Sequence, residues 1–313
     1  MTQPAFLFPG QGSQSIGMLA DLAAAFPVVR DTFAEAAAMV GFDLWALVQD
    51  GPKDDLDRTE NTQPAMLAAG VAVWRCWQQQ GGPAASIMAG HSLGEYTALV
   101  CAGALDFSDA VALVAERGRL MQQAVPAGQG AMAALLGLDD ATVVDLCREQ
   151  AGDQVLEAVN FNAPGQVVIA GEREAVQRAT EAAKAAGAKR AVLLPVSVPS
   201  HCALMTGAAA GLAARLADAT IDVPAVPVIH NVSVETAGDA DQIRDLLARQ
   251  LYSPVRWVET VQSIAERGIA VAIEAGPGKV LTGLGKRIDK RLQTLPVFDP
   301  AGLEQAIEAS TDD

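Results

Sequence analysis

The chain has 313 residues, half of them hydrophobic and 19% charged, which excludes a disordered polymer and supplies enough length for about two domains. Its 37 acidic residues against 22 basic ones leave a net charge of −15, which argues against a nucleic-acid or anionic-membrane surface, although one buried arginine can still recruit an anionic ligand. Aromatic residues make up only 4%, so the core must be built from Ala, Val and Leu, and stacking platforms for single-stranded nucleic acid are not expected.

Met1-Thr2-Gln3-Pro4 carries no basic leader, and Ala5 to Phe8 is too short for a signal core, so a cytoplasmic location is expected. Ala5 to Phe8 reads as a short strand that ends in Pro9-Gly10-Gln11-Gly12, where two glycines let the backbone turn while Gln11 projects. Helical patterns follow at residues 17–26, 28–40, 43–49 and 62–80. Ser86 to Ala89 looks like the end of a buried strand, Glu95 to Ala102 is helix-compatible, and a further helix covers residues 108–123. Such alternation implies a parallel sheet covered on both faces, that is, an α/β fold. No apolar run reaches about 18 residues, so no membrane span is expected.

From Gly130 the pattern changes. Strands at 131–137, 155–160, 166–170 and 189–195 enclose helices at 139–150 and 172–186, giving the order βαββαβ of a ferredoxin-like motif. The expected organisation is therefore a large α/β-hydrolase-like subdomain made of residues 1–128 and 198–313, with a small ferredoxin-like subdomain, residues 129–197, inserted into it. A helix at 201–217, a strand near 226–230, helices at 240–251 and 255–267, a strand at 269–274 and one final helix complete the large part. Cys76, Cys101, Cys147 and Cys202 are far apart with no C-x-x-C or Cys/His cluster, so each reads as a buried free thiol and no metal is expected.

Gly90-His91-Ser92-Leu93-Gly94 falls between a strand-like and a helix-like run, which is the setting of a nucleophile elbow. Ser92 projects from such a turn, and the Leu93 N–H at the start of the next helix is free to serve an oxyanion. The serine needs a base, and there are three histidines. His91 adjoins Ser92 and is expected to pack under the turn, while no motif gives His230 a base role. His201 follows Ser200, a good helix N-cap, and is expected in a first helical turn whose dipole keeps the imidazole neutral. Asp106, Asp109, Asp139 and Asp140 read as loop and helix-start residues, leaving no carboxylate to orient that histidine. A main-chain carbonyl can replace one. Ser253-Pro254 ends the preceding helix and leaves its last carbonyls, including that of Gln250, without intrahelical partners.

Arg117 shares a helical stripe with Leu113, Leu120 and Met121, so it points inward. It is either one half of an internal salt bridge or a bidentate clamp for a substrate carboxylate. Gly276-Pro277-Gly278-Lys279 lacks P-loop spacing and reads as a tight strand-to-helix turn.

Taken together, Phe8-Pro9-Gly10-Gln11-Gly12-Ser13-Gln14, Gly90-His91-Ser92-Leu93-Gly94-Glu95-Tyr96, Glu116-Arg117-Gly118, Asn160-Phe161-Asn162-Ala163-Pro164-Gly165-Gln166, Val198-Pro199-Ser200-His201 and Glu274-Ala275-Gly276-Pro277-Gly278 resemble the malonyl-CoA:acyl carrier protein transacylase family over nearly the whole chain. The resemblance implies Ser92 as nucleophile, His201 as general base and acid, and the Gln250 carbonyl as its orienter. It also implies Gln11 and the Leu93 amide as oxyanion donors, and Arg117 as the malonyl carboxylate clamp. Met121 and Ser200 are expected beside the acyl group, where the room they leave governs methylmalonyl discrimination. Malonyl-CoA and acyl carrier protein are the implied partners, for a monomer that uses no metal and no other cofactor. Both partners are acidic, so docking calls for a local basic patch, either Lys286, Arg287, Lys290 and Arg291 or Lys189 with Arg190. Two other readings stay open: a serine esterase or thioesterase that discharges to water, and a non-catalytic carrier-binding module.

Overall fold

The computed structural model describes residues 3–196 and 198–311; residues 1, 2, 197, 312 and 313, at the ends of the expected segments, lie outside the described residues. Strand β1 (Ala5–Phe8) is completely buried. Phe6 and Phe8 point into one core cluster, Ala5 and Leu7 into another, as alternation along a strand requires when both sheet faces are covered. Phe6 meets Trp74 and Trp77 edge-on at 4.8 and 5.1 Å. Its burial is worth about 1.5–3 kcal/mol.

Helices α1 (Ala20–Ala25), α2 (Val28–Val40), α3 (Leu44–Asp50), α4 (Lys53–Leu56) and α5 (Thr59–Gln79) follow. Then come β2 (Ile87–Gly90), α6 (Gly94–Cys101) and α7 (Phe107–Ala124). The middle of the chain forms β3 (Gly130–Leu136), α8 (Asp140–Ala151), β4 (Leu156–Ala163), β5 (Gln166–Glu172), α9 (Arg173–Ala185) and β6 (Arg190–Leu193). The last part contains α10 (Thr206–Asp218), β7 (Val228–Ile229), α11 (Ala240–Gln250), α12 (Trp257–Glu266), β8 (Val271–Ala275), α13 (Val280–Ile288), β9 (Gln293–Val297) and α14 (Pro300–Thr311). Asp106 and Asp139 cap α7 and α8 by accepting backbone N–H groups, so the helix-start reading of both holds.

The molecule is a mixed α/β fold with two sheets. One is parallel, in the order β7-β2-β1-β8-β9; the other is antiparallel, in the order β4-β5-β3-β6. Because the first sheet is parallel, β1, β2, β7 and β8 all release their carboxyl ends at one edge. Gln11, Ser92, Asn231 and Gly276 are therefore delivered to one place, where ligands of open α/β sheets bind.

Three expectations change. The single final helix is two, α13 and α14, with β9 between them. That strand was hidden because Pro296 interrupts its pattern, and a proline is tolerated there because β9 lies at the sheet edge. The helix expected from residue 201 begins only at Thr206, after a short 3₁₀ turn at Ala203–Met205. Of the four free thiols, Cys101 is half-buried rather than buried. Among the described residues, no helix is long and apolar enough to cross a membrane, and no group of three or more His, Cys, Asp or Glu could hold a metal ion.

Candidate active site

The turn between β2 and α6 is tight enough to require both of its glycines. A Cβ on Gly90 would stand 1.8 Å from the Gly94 carbonyl carbon, and one on Gly94 would stand 2.0 Å from the Phe8 carbonyl oxygen. Ser92 itself sits at φ 51, in the left-handed region that an L residue occupies only under constraint. Asn231 supplies that constraint. Its Oδ1 accepts the Ser92 N–H at 2.7 Å, and its Nδ2 donates to the Gly90 carbonyl at 2.7 Å. The neighbouring Leu93 N–H has no hydrogen-bond partner among the described residues and opens α6.

His201 Nε2 lies 2.8 Å from Ser92 Oγ, and His201 Nδ1 lies 2.8 Å from the Gln250 main-chain oxygen. A carbonyl only accepts, so Nδ1 carries the proton and Nε2 presents a lone pair to the serine hydroxyl. The histidine is not in a helical first turn, and Ser200 is not its cap. His201 stands at φ 68 in the segment before the 3₁₀ turn, with its N–H donating to the Leu251 carbonyl at 2.9 Å. The neutral imidazole expected from a helix dipole has a different cause. Burial, and then the nearby Arg117 cation, hold His201 down at about 3, while the Gln250 carbonyl pulls the other way.

Arg117 is 1% exposed, and among the described residues it forms no ion pair. Its Nη1 donates to Gln63 Oε1 at 2.8 Å, and its Nη2 donates to Gln250 Oε1 at 2.9 Å and approaches Ser92 Oγ at 3.5 Å. Its guanidinium carbon lies 5.4 Å from the centre of the Tyr96 ring, and its Nε has no hydrogen-bond partner among the described residues. The salt-bridge alternative therefore falls away. Arg117 is thus a buried cation held by two neutral amides beside the serine, with no counter-ion among the described residues.

A cavity of about 110 Å³ brings together Gln11, Ser92, Leu93, Arg117, Met121, Ser200 and His201. Gln250 stands behind it and acts on it through both its carbonyl and its side-chain amide. Gln11 Nε2 reaches Thr59 Oγ1 at 3.4 Å, a long bond that leaves the amide available to a ligand. His91 takes the packing role expected of it, 2.8 Å from Asn162 Oδ1 and against the Trp257 ring. The glycine loop after β8 is the turn expected of it. Glu274 accepts the Leu281 and Thr282 N–H groups at 2.9 and 2.6 Å, so a carboxylate fills the helix end where a phosphate would sit.

Sequence reasoning missed Gln63, Glu95 and Asn231, and with them the partner of His230, whose Nδ1 lies 2.7 Å from Glu95 Oε1. The one available signal was a polar residue inside an apolar helix face, at Gln63 and at Glu95.

An acyl transferase domain family matches residues 5–302. The malonyl CoA-acyl carrier protein transacylase of Escherichia coli K12 is 59% identical over 98% of this chain and 100% of its own length. That of Bacillus subtilis is 45% identical over 98% and 97%. Among solved structures, a malonyl-transacylase in complex with a type II PKS acyl-carrier protein superposes with a TM-score of 0.97 at 58% identity, covering 98% of this chain and all of that one. The malonyl CoA-acyl carrier protein transacylase of Coxiella burnetii superposes with a TM-score of 0.98 at 52% identity, covering 100% and 99%. With that kinship and a serine, a histidine and a buried arginine gathered in one cavity, the chain is an acyltransferase and belongs to the malonyl-CoA:acyl carrier protein transacylase family.

Proposed function

We propose that this enzyme moves the malonyl group from malonyl-CoA to the phosphopantetheine thiol of acyl carrier protein by a ping-pong route through a malonyl ester of Ser92, supplying extender units for fatty-acid synthesis. The observation that carries this reading is Arg117, a buried cation with no ion pair among the described residues, whose Nη2 lies 3.5 Å from the nucleophile. Ser92 Oγ attacks the thioester carbon as its proton passes to His201 Nε2. Charge gathers on the carbonyl oxygen, where the Leu93 N–H and the Gln11 amide donate. The C–S bond then breaks, and the leaving sulfur takes the proton from the imidazolium. The carrier thiol repeats the steps in reverse, giving its proton to His201 and releasing Ser92 as its alcohol. Arg117 grips the far carboxylate throughout, and Met121 and Ser200 line the acyl end. No other cofactor enters this chemistry. Intact-mass spectrometry with malonyl-CoA tests the reading; a protein that turns over without forming an ester on Ser92 contradicts it.

The low position of His201 sets a pH dependence. The base is the neutral form, which persists at every pH above its folded value of about 3. Acylation measured as kcat/KM for malonyl-CoA should therefore stay level as pH falls from about 8 to about 5, straight through the ordinary histidine range. A break near 6.5, the unperturbed value, would show that burial and Arg117 do not govern the imidazole.

Hydrolysis is the competing fate of the ester. The orienter of His201 is a neutral carbonyl and the cavity holds a cation for the acyl end, both of which favour selective transfer over general esterase action. Free malonate as the main product in the presence of carrier thiol would support hydrolysis instead. We place the protein in the cytoplasm as a monomer, with a large α/β-hydrolase-like part (1–128 and 198–313) and a ferredoxin-like insertion (129–197).

For carrier docking, the α13 patch is one of two basic candidates, the other being the exposed pair Lys189 and Arg190. In the α13 patch, Arg287 reaches Gln166 and the Pro164 carbonyl on the β4–β5 turn, and Arg291 is paired with Asp289, which leaves Lys286 and Lys290 exposed and without an ion pair among the described residues. Lys286→Glu should raise the KM for carrier protein roughly 5- to 10-fold at low salt, with the KM for malonyl-CoA changed far less. Identical carrier kinetics in the variant would remove this patch.

A further inference from the structure

Glu95 is fully buried in the first turn of α6, and its carboxylate is not part of the cavity wall. Three donors converge on it. His230 Nδ1 reaches Oε1 at 2.7 Å, while the Asn231 N–H and Gln250 Nε2 reach Oε2 at 3.0 and 2.7 Å. The Gln250 amide then passes the constraint forward. Its Nε2 also donates to the Ser92 carbonyl at 3.0 Å, and its Oε1 accepts from Arg117 Nη2 at 2.9 Å.

A glutamine amide is nearly symmetric in shape but not in chemistry. With its NH₂ facing Glu95 and the Ser92 carbonyl, every donor meets an acceptor. Turned over, its oxygen would face a carboxylate oxygen and a carbonyl oxygen, and its NH₂ would face a guanidinium N–H. Each such buried mismatch forfeits a hydrogen bond and leaves groups unsatisfied. The Gln63 amide on the other side of Arg117 has no comparable acceptor behind it among the described residues, where its Nε2 meets only Met121 Sδ at 3.5 Å. Gln250 is therefore the firmly oriented arm of the arginine cradle, and Glu95 is what orients it.

We propose that Glu95 is a positioning residue for acyl selectivity: by fixing the amide of Gln250 it holds Arg117 where the carboxylate of a dicarboxylic acyl group can reach it. The inference rests on the malonyl-transfer reading given above. Glu95 never touches substrate. It acts through Gln250, and its second arm, through Asn231, steadies the elbow backbone.

The test compares kcat/KM for malonyl-CoA and acetyl-CoA in folded, purified Glu95→Gln and Gln250→Met proteins. Gln250→Met keeps the main-chain carbonyl that holds His201 and removes only the amide, so it tests the same link if Glu95→Gln fails to fold. The malonyl-to-acetyl ratio should fall roughly 10- to 100-fold in either variant, mainly through the malonyl KM, and the double variant should lose little more than either single one. A purely structural role for Glu95 would lower the melting temperature and depress both donors alike. Folded variants that keep the wild-type ratio, or lose both activities equally, overturn the proposal while leaving the malonyl-serine reading intact. A wild-type protein that never accepts malonyl on Ser92 overturns that reading first and this one with it.

Discussion

Ser92→Ala is expected to lower malonyl transfer roughly 10⁴- to 10⁶-fold while leaving the protein folded. The size follows from the role: without Oγ no ester can form, and what remains is transfer helped only by binding and by the oxyanion donors. The fold should survive because, among the described residues, the Ser92 hydroxyl hydrogen-bonds only to His201 and Arg117, whereas the elbow backbone is held by the Asn231 side-chain amide, which does not touch Oγ. The variant should melt within a few degrees of the parent, since deleting one half-buried hydroxyl costs on the order of 1 kcal/mol. A rate within about tenfold of the parent, measured with purified carrier protein, would exclude Ser92 as the nucleophile.

Arg117→Ala should reduce kcat/KM for malonyl-CoA roughly 10²- to 10³-fold and acetyl transfer much less. The malonyl carboxylate would lose its bidentate partner in the cavity, a loss of about 3–4 kcal/mol. The same change removes one of the two main causes that hold His201 low. With the cation gone the imidazole rises towards its ordinary value, so the acid limb of the pH profile should move up and the variant should lose its base sooner as pH falls. Arg117→Lys keeps the charge but not the planar fork and should fall between parent and Ala. Equal losses for malonyl and acetyl donors, with no shift of the acid limb, would contradict the clamp.

Some of this was legible along the chain and some was not, for definable reasons. The elbow was readable because its chemistry is local. Two glycines flank Ser92, and the space each must leave free is set by residues within a few positions or by the adjacent strand. That Arg117 points inward was readable from helical spacing, although spacing left an internal salt bridge and a carboxylate clamp equally open, and the unpaired Gln250 carbonyl was readable from a proline that stops α11. His201 does lie 2.8 Å from Ser92 Oγ, but in a conformation other than the one expected. Ser200 is a good helix cap in isolation, yet the Leu251 carbonyl, 50 positions later in the chain, takes the His201 N–H and bends the backbone to φ 68. The cradle behind the site could not be read at all. Glu95 to Gln250, Asn231 to the elbow and Gln63 to Arg117 are contacts between residues 155, 139 and 54 positions apart, and no local pattern encodes them. Glu95 stands out in the sequence only as a polar residue on an otherwise apolar helix face, and only the parallel sheet, by ending β2 and β7 side by side, decides that His230 and Asn231 meet it.

The most direct test of the account is a two-stage mass measurement on the wild-type enzyme. Mixed with malonyl-CoA and quenched in acid, the protein should gain one malonyl group on the peptide that contains Ser92; on addition of holo acyl carrier protein, the mass should return to that of the free enzyme as the carrier gains the same group. Carrier that becomes malonylated at full rate while no Ser92 ester forms at any time in the quench would contradict the account.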